Sequence, residues 1–299
     1  MKPKLLLHPD KWSNATAFFL QPLFDEYFEI VFIDPLTTYN NKECIVYSHC
    51  VDANWVIPWR DRGFVVVVDN LWENPWKNLP SDIHLIKPGR WFLRANESLW
   101  YKALGYDQYQ RCPNITKTFL MFINRKTPHR DQIWQRIDLD NSIYSYHGRG
   151  IELNYADVSP SDPGWQREFN PDWYNLTNYS LVVETVLFPE DVWHTEKTWK
   201  PIAFYHPFIL WGPPGYIKDL QDQGFKTFNH IIDESYDAEL DNSKRLDMII
   251  NQVNKLKDIC LTDVETVNRT IHNRNLFFDT EWSTQQFRQH LFEPILNLL

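Results

Sequence analysis

Glycine is scarce in this chain, which has only nine among its 299 residues. The sequence contains neither a phosphate-binding loop of the G-x-x-x-x-G-K-[ST] type nor a G-x-G-x-x-G fingerprint. Both motifs need glycine because the backbone turns tightly and comes close to phosphate. The sequence therefore argues against a P-loop NTPase and against a dinucleotide-binding dehydrogenase.

Cysteines and long apolar runs are also few. Cys44, Cys50, Cys112 and Cys260 show no C-x-x-C spacing and no nearby histidine pair, so we predict neither a zinc knuckle nor a disulfide framework. No run approaches the length of a transmembrane helix, and the LLL stretch near the N-terminus is too short for a signal peptide. We therefore expect a cytoplasmic protein with no membrane span.

Basic residues are outnumbered by acidic ones, 30 to 39, which gives a formal net charge of −9. This balance disfavours non-specific binding to nucleic acid or anionic lipid, although it is compatible with a local basic cleft. Aromatic residues are abundant, at 16% of the chain. They could stack on sugars, but packing in a core is their commoner use.

Short β-branched and aromatic runs alternate with amphipathic stretches along the whole chain. Continuous apolar runs such as FVVVV and TFLMFI are typical of strands buried on both faces of a parallel sheet. Apolar residues at helical spacing predict a helix behind DNSK and another over STQQFRQHLFEPILNLL.

We predict strands at 4–7, 29–33, 44–48, 64–68, 83–86, 118–123, 142–146, 180–186 and 207–211. Strands alternating with helices favour an α/β architecture. The polar break RCPNIT at 111–116 suggests two domains, 1–115 and 116–299.

The segment 124–150 is basic within an acidic chain, with five Lys or Arg and three Asp. Arg125 and Arg130 follow directly on a predicted buried strand. Loops at the carboxyl ends of parallel strands face the ligand crevice, and arginine there can bind phosphate through its fork of donors. A solvated helix face with surface ion pairs is an equally good interpretation from charge alone.

A second segment, 180–216, places Thr195, Glu196 and Lys197 at the start of a predicted helix. Thr195 can cap this helix, and Glu196 suits its first turn. Lys197 is electrostatically unfavourable there unless an anion lies in front of it, which makes it a candidate diphosphate ligand. Glu196 could bind ribose hydroxyls. An ordinary helix start with Lys197 in solvent is the alternative.

Several motifs follow one another in a characteristic order. Asn124 and Arg130 come after one strand, the basic turn HGRG at 147–150 after the next, and Glu184 before TEK at 195–197. An apolar strand ending in PFILWG completes the series. This order resembles the donor-binding domain of the α1,3-fucosyltransferase family. TEKTWKPI, HPFI, GPPGY and GFKTF look closer still to its viral and bacterial members, and the resemblance covers residues 119 to 237.

The resemblance implies a GT-B-like fold, with two Rossmann-like domains and a cleft between them. Residues 1–115 would form the acceptor side and 116–299 the donor-binding side. The implied activity is a glycosyltransferase reaction, inverting and independent of metal, from a nucleotide-sugar such as GDP-fucose to a glycan or other hydroxyl acceptor. No cofactor is implied besides that co-substrate.

The resemblance also assigns individual residues. It implies that Glu196 binds the ribose, that Lys197 and Arg130 bind the diphosphate, and that Glu184 lies near the sugar. Trp193 would lie beside the nucleotide. The predicted donor site is completed by Asn124, Arg125, Gly148, Arg149 and Thr195. Without a metal, cationic side chains must neutralise the charge that grows on the leaving diphosphate.

An inverting transferase also needs a general base to deprotonate the acceptor. In the family this is a carboxylate just after an N-terminal-domain strand, which here matches Asp69, with Glu73 in reserve and Glu97 third. Asp69 could equally cap a helix.

Two other functions are compatible with the sequence, and two acidic motifs have simpler interpretations than metal binding. A non-catalytic sugar- or nucleotide-binding accessory protein is one alternative, and a viral DNA-base glycosyltransferase, which the acidic charge disfavours, is the other. Asp138 and Asp140 spell D-x-D, a manganese motif of a different transferase fold, but we expect them to end a helix. The five carboxylates at 233–241 lack EF-hand spacing, so we expect them to cap the next helix.

Overall fold

The computed structural model describes residues 2–7, 21–33, 37–40, 42, 44–49, 53–69, 79–86, 89–153, 170–187 and 194–298. Within these ranges, nine strands form two parallel sheets flanked by helices. Each strand expected from the sequence is present, with ends that shift by up to three residues, as where the strand expected at 180–186 runs Thr177–Val183. The predicted α/β class is confirmed.

The chain divides into two compact units. The first comprises Met1–Ala103 together with Thr280–Leu299, and the second comprises Leu104–Asp279.

The first unit is built on a five-stranded sheet of order β2-β1-β3-β4-β5. Its apolar runs are buried on both faces, since Leu5 to Leu7 and Val66 to Val68 have no exposed surface. Such burial is expected of a parallel sheet covered by helices. The elements are β1 (Lys4–Leu7), β2 (Glu29–Phe32), β3 (Cys44–His49), α1 (Ala53–Asp61), β4 (Val65–Asp69), β5 (His84–Ile86) and α2 (Trp91–Ala103).

The second unit has a four-stranded parallel sheet of order β7-β6-β8-β9, in which β8 is buried along its whole length. The strands are β6 (Lys117–Ile123), β7 (Ile143–Tyr146), β8 (Thr177–Val183) and β9 (Phe208–Trp211). The helices are α3 (Pro128–Arg136), α4 (Glu196–Ala203), α5 (Tyr216–Asp222), α6 (Asn242–Lys255) and α7 (Val264–Phe277), with single turns at His147–Arg149 and Trp173–Leu176. Because β6, β7 and β8 are parallel neighbours, the residues that follow them lie at the same edge of the sheet.

The two acidic motifs lie where the sequence suggested. Asp241 caps α6, because its carboxylate accepts hydrogen bonds from the backbone N–H groups of Ser243 and Lys244 at 2.8 and 3.1 Å. Asp138 follows the end of α3 and pairs with Lys257. In the described ranges, no three His, Cys, Asp or Glu residues are grouped closely enough to hold a metal ion.

The last helices, α8 (Thr280–Phe287) and α9 (Glu293–Leu296), belong to the first unit, whereas the domain boundary predicted from the sequence placed them with residues 116–299. Phe287 packs against Trp91 at 5.2 Å and Phe92 at 5.6 Å between ring centroids. Phe292, between the two helices, meets Phe24 at 4.7 Å. Their apolar stripe therefore covers the core of the first sheet. Among the described helices, none combines the length and apolar character that a membrane crossing would require.

Candidate functional site

The predicted donor-site residues that the structure describes, all but Trp193, lie near the carboxyl ends of β6, β7 and β8. Because these strands are parallel neighbours, the residues that follow them emerge at the same edge of the sheet. The backbone N–H of Gly148, after β7, donates to the carbonyl of Asn124, after β6, at 2.7 Å. The turn after β8 is joined to the same edge by Arg130.

Glu184 is the central group of this edge. Its side chain is 1% exposed, and its carboxylate faces the N-terminus of α4. One oxygen accepts the Thr195 hydroxyl at 2.7 Å, and the other accepts the Thr195 backbone N–H at 3.2 Å and the Thr198 hydroxyl at 2.8 Å. A carboxylate is favoured at a helix N-terminus, where the unpaired N–H groups give a partial positive charge. Glu184 thus anchors the start of α4 to the end of β8.

Thr195, Glu196 and Lys197 form the first turn of α4, with Thr195 as the cap. The Lys197 ammonium lies 2.6 Å from a Glu196 carboxylate oxygen and 3.3 Å from the Thr195 hydroxyl. The side chain of Lys197 is only 12% exposed, and that of Glu196 is 18% exposed. Lys197 is therefore held beside a carboxylate rather than extended into solvent.

Arg130 is completely buried in α3. Its Nε donates to the Glu184 carbonyl at 3.2 Å, and its Nη2 donates to the Val183 carbonyl at 3.0 Å and the Thr185 hydroxyl at 2.8 Å. Its Nη1 donates to the Arg125 carbonyl at 3.1 Å. Burial lowers the pKa of Arg130, and the nearby charge of Glu184 opposes that shift.

His129, next to Arg130, binds the same carbonyl. Its Nε2 lies 3.1 Å from the Glu184 carbonyl, which can only accept, so Nε2 carries the proton. Its Nδ1 is then free to accept from the Thr127 hydroxyl at 3.2 Å. Burial lowers the pKa of His129, which favours the neutral ring. Two neighbouring side chains of α3 therefore fix the main chain at Glu184.

Asp131 binds basic side chains at this edge of the sheet. Its Oδ1 accepts the Tyr146 hydroxyl at 2.7 Å and the Nε and Nη2 of Arg149, both at 2.8 Å, and Lys126 lies 4.0 Å away. The Tyr146 hydrogen bond, followed by that of Arg149, lowers the pKa of Asp131 below its usual range. Arg149, which the sequence placed in the donor site, is thus held by a carboxylate of α3.

Gly148 allows the turn after β7 to lie against the turn after β6. A Cβ at this position would come within 2.5 Å of the Lys126 backbone nitrogen and 3.0 Å of the Asn124 carbonyl oxygen. Both neighbours are backbone atoms, which cannot swing aside. Arg125, in the same turn, has an exposed side chain.

Replacing Gly148 with alanine should therefore lower the free energy of unfolding by about 1–3 kcal/mol, because the added methyl group overpacks two turns. Chemical denaturation would measure this. The control is Gly150→Asn: position 150 has a φ of +70°, and a Cβ added there would meet nothing within 4 Å. Asparagine tolerates that left-handed conformation, so the control should stay near wild type. A Gly148→Ala protein as stable as this control would contradict the prediction.

Sequence reasoning missed Thr198, His129 and Asp131. The spacing T-x-x-T in TEKT could have indicated Thr198, because residues three apart lie on the same side of a helix. Asp131 and His129 lie in the first turn of α3, where carboxylates are favoured, but their partners are distant in sequence.

The remaining predicted residues are only partly described. Glu73 and Trp193 lie outside the described residues. Asp69 is the last residue of β4, and its backbone pairs in register with His49 and Ile86. Glu97 lies in α2 and is 1% exposed.

Comparisons with known proteins bear on the fold. No protein-family model matches the chain, and no curated protein matches its sequence. A crystal structure of an α1,3-fucosyltransferase matches with a TM-score of 0.50 at 11% identity, over 95% of this chain and 92% of that one. A structure of an α1,3-fucosyltransferase with GDP-fucose gives 0.47 at 11%, over 93% and 90%, and one with GDP gives 0.46 at 12%, over 95% and 91%. This chain has an α/β fold of the α1,3-fucosyltransferase type, as its motifs had implied.

Proposed function

We propose that this protein is a glycosyltransferase that moves a fucose-like sugar from a nucleoside-diphosphate donor, GDP-linked by resemblance, to a hydroxyl acceptor. The observation that carries the proposal is the turn of α4, where Lys197 and Glu196 lie at a helix N-terminus anchored by Glu184. An α1,3-fucosyltransferase-like fold supports the same function.

The turn suits a diphosphate on chemical grounds. The first N–H groups of α4 and its dipole favour an anion, and Lys197 adds a full positive charge there. A diphosphate in front of the turn would accept from the Lys197 ammonium, which now pairs with Glu196. The Glu196 carboxylate would then be able to accept hydrogen bonds from the ribose hydroxyls.

The proposed reaction is a single displacement with inversion. The acceptor oxygen forms a bond to the anomeric carbon while the bond from that carbon to the diphosphate oxygen breaks, and the electron pair leaves with the diphosphate. The acceptor's proton passes to a base, for which Asp69 is our first candidate and Glu73 the second. Lys197 stabilises the charge that develops on the leaving group, so we expect transfer without added metal or cofactor.

Thermal unfolding with GDP, UDP, CDP and ADP, each without divalent cation, tests the donor site. We expect GDP alone to raise the melting temperature, because a ligand at a hundred times its Kd stabilises the native state by about 2.7 kcal/mol. No shift with any of the four would contradict the proposal.

A second measurement separates an enzyme from a binding protein. The transferase should release GDP from GDP-fucose, slowly by hydrolysis even without acceptor. A protein that is stabilised by GDP but releases none would instead be a nucleotide-sugar-binding module.

A further inference from the structure

The guanidinium of Arg130 donates its hydrogen bonds to other groups of the protein. An arginine side chain has five N–H donors, and four contacts from Arg130 go to the carbonyls of Val183, Glu184 and Arg125 and to the Thr185 hydroxyl. The side chain has no exposed surface. A guanidinium in this position cannot touch a ligand unless these contacts break.

The contacts of Arg130 connect the carboxyl ends of β6 and β8. They join the turn after β6, at Arg125, to the end of β8, at Val183 and Glu184. The Glu184 carboxylate continues the connection to Thr195 at the start of α4. The place of the Thr195–Lys197 turn therefore depends on where Arg130 holds the main chain of Glu184.

Arg125 has the opposite character. Its carbonyl is held by Arg130, but its side chain is exposed. Within the ranges that the structure describes, its guanidinium takes part in no hydrogen bond or ion pair. Arg130 in α3 is thus fixed inside the protein, whereas the exposed guanidinium of Arg125 in the preceding turn can bind an anion in a bidentate manner.

Given the proposed function, we infer that Arg130 is a positioning residue for the donor-binding turn and that the donor's diphosphate is bound by the neighbouring Arg125. This differs from the role that the motif resemblance implies for Arg130. The carbonyl contacts of Arg130 would be lost if it turned toward a phosphate, and the buried acceptors at Val183 and Glu184 would lose their partner.

Calorimetric binding of GDP and of guanosine, measured well below the melting temperature, distinguishes the two arginines. Arg125→Ala should weaken GDP binding by about tenfold or more, leave guanosine binding and the melting temperature unchanged, and so report a lost phosphate contact. Arg130→Lys should lower the melting temperature and weaken GDP and guanosine by a similar factor, because the displaced turn also carries Glu196. The matched control is Arg136→Ala, an exposed arginine of the same helix that pairs with Asp247.

The outcomes separate this inference from the function beneath it. If wild type binds none of the four nucleoside diphosphates, the proposed function fails and the inference fails with it. If wild type binds GDP and Arg125→Ala binds it equally well, only the inference fails. An Arg130→Lys protein of normal stability that loses GDP but not guanosine would also overturn it. Should Arg130→Lys not fold, the Arg125→Ala result decides.

Discussion

Glu184→Ala should lower the free energy of unfolding by about 3 kcal/mol or more, the largest stability effect that we expect at this site. The variant removes a buried carboxylate that accepts three hydrogen bonds from Thr195 and Thr198. The buried Thr198 hydroxyl and the partly buried Thr195 N–H would lose their acceptor, and the buried Arg130 would lose the nearby charge that opposes its desolvation. Urea denaturation at neutral pH would measure the loss.

A matched control shows whether burial is the cause. Glu265 is also a glutamate near a helix start, but its side chain is 55% exposed and pairs with Arg269 across one helical turn. Such surface pairs contribute about 0.3–0.5 kcal/mol, so Glu265→Ala should be nearly neutral. Glu184→Gln should fall between the two, because it keeps the shape and one acceptor oxygen. If Glu184→Ala proved no less stable than Glu265→Ala, the anchoring role of Glu184 would be wrong.

The strands could be predicted because their pattern is local. A run such as FVVVV can be buried on both faces only where helices cover both sides of a sheet, and β4 is such a strand. The cap of α6 was equally readable, since Asp241 bonds to residues two and three positions on. What these features share is that the pattern that reveals them lies within a few residues of sequence, although β4 itself pairs with strands about twenty residues away.

The remaining features depend on contacts between residues that are distant in sequence. The periodicity around Phe287 predicts an apolar stripe but not its partner, and the stripe covers Trp91 in the first unit. From charge alone, Arg130 could be interpreted equally well as a phosphate ligand or as a member of a surface ion pair. Its burial depends on Val183 and Glu184, more than fifty residues away. The sequence therefore indicated candidate residues at the strand ends without showing which of their cations are buried.

Lys197→Ala should reduce the turnover of GDP-fucose, followed as GDP release, by about 100- to 1,000-fold, the usual cost of losing one group that stabilises charge in a transition state. Under the proposed function, Lys197 is the cation at the start of α4 that meets the charge developing on the leaving diphosphate. Its loss should cost little stability, because Glu196 then remains as a carboxylate in the first turn of a helix, where it is favoured.

The chain supplies a close control in Lys244, an exposed lysine in the first turn of α6, whose cap is Asp241 as that of α4 is Thr195. Lys244→Ala removes the same charge from the same kind of helix end and should leave turnover unchanged. Lys197→Arg should recover part of the rate, since the positive charge is kept while its geometry changes. Because the ammonium of Lys197 also pairs with Glu196, comparison with Glu196→Gln separates the two roles. Equal turnover in the Lys197→Ala and Lys244→Ala proteins would mean that the leaving group is stabilised elsewhere, with Arg125 the next cation to remove.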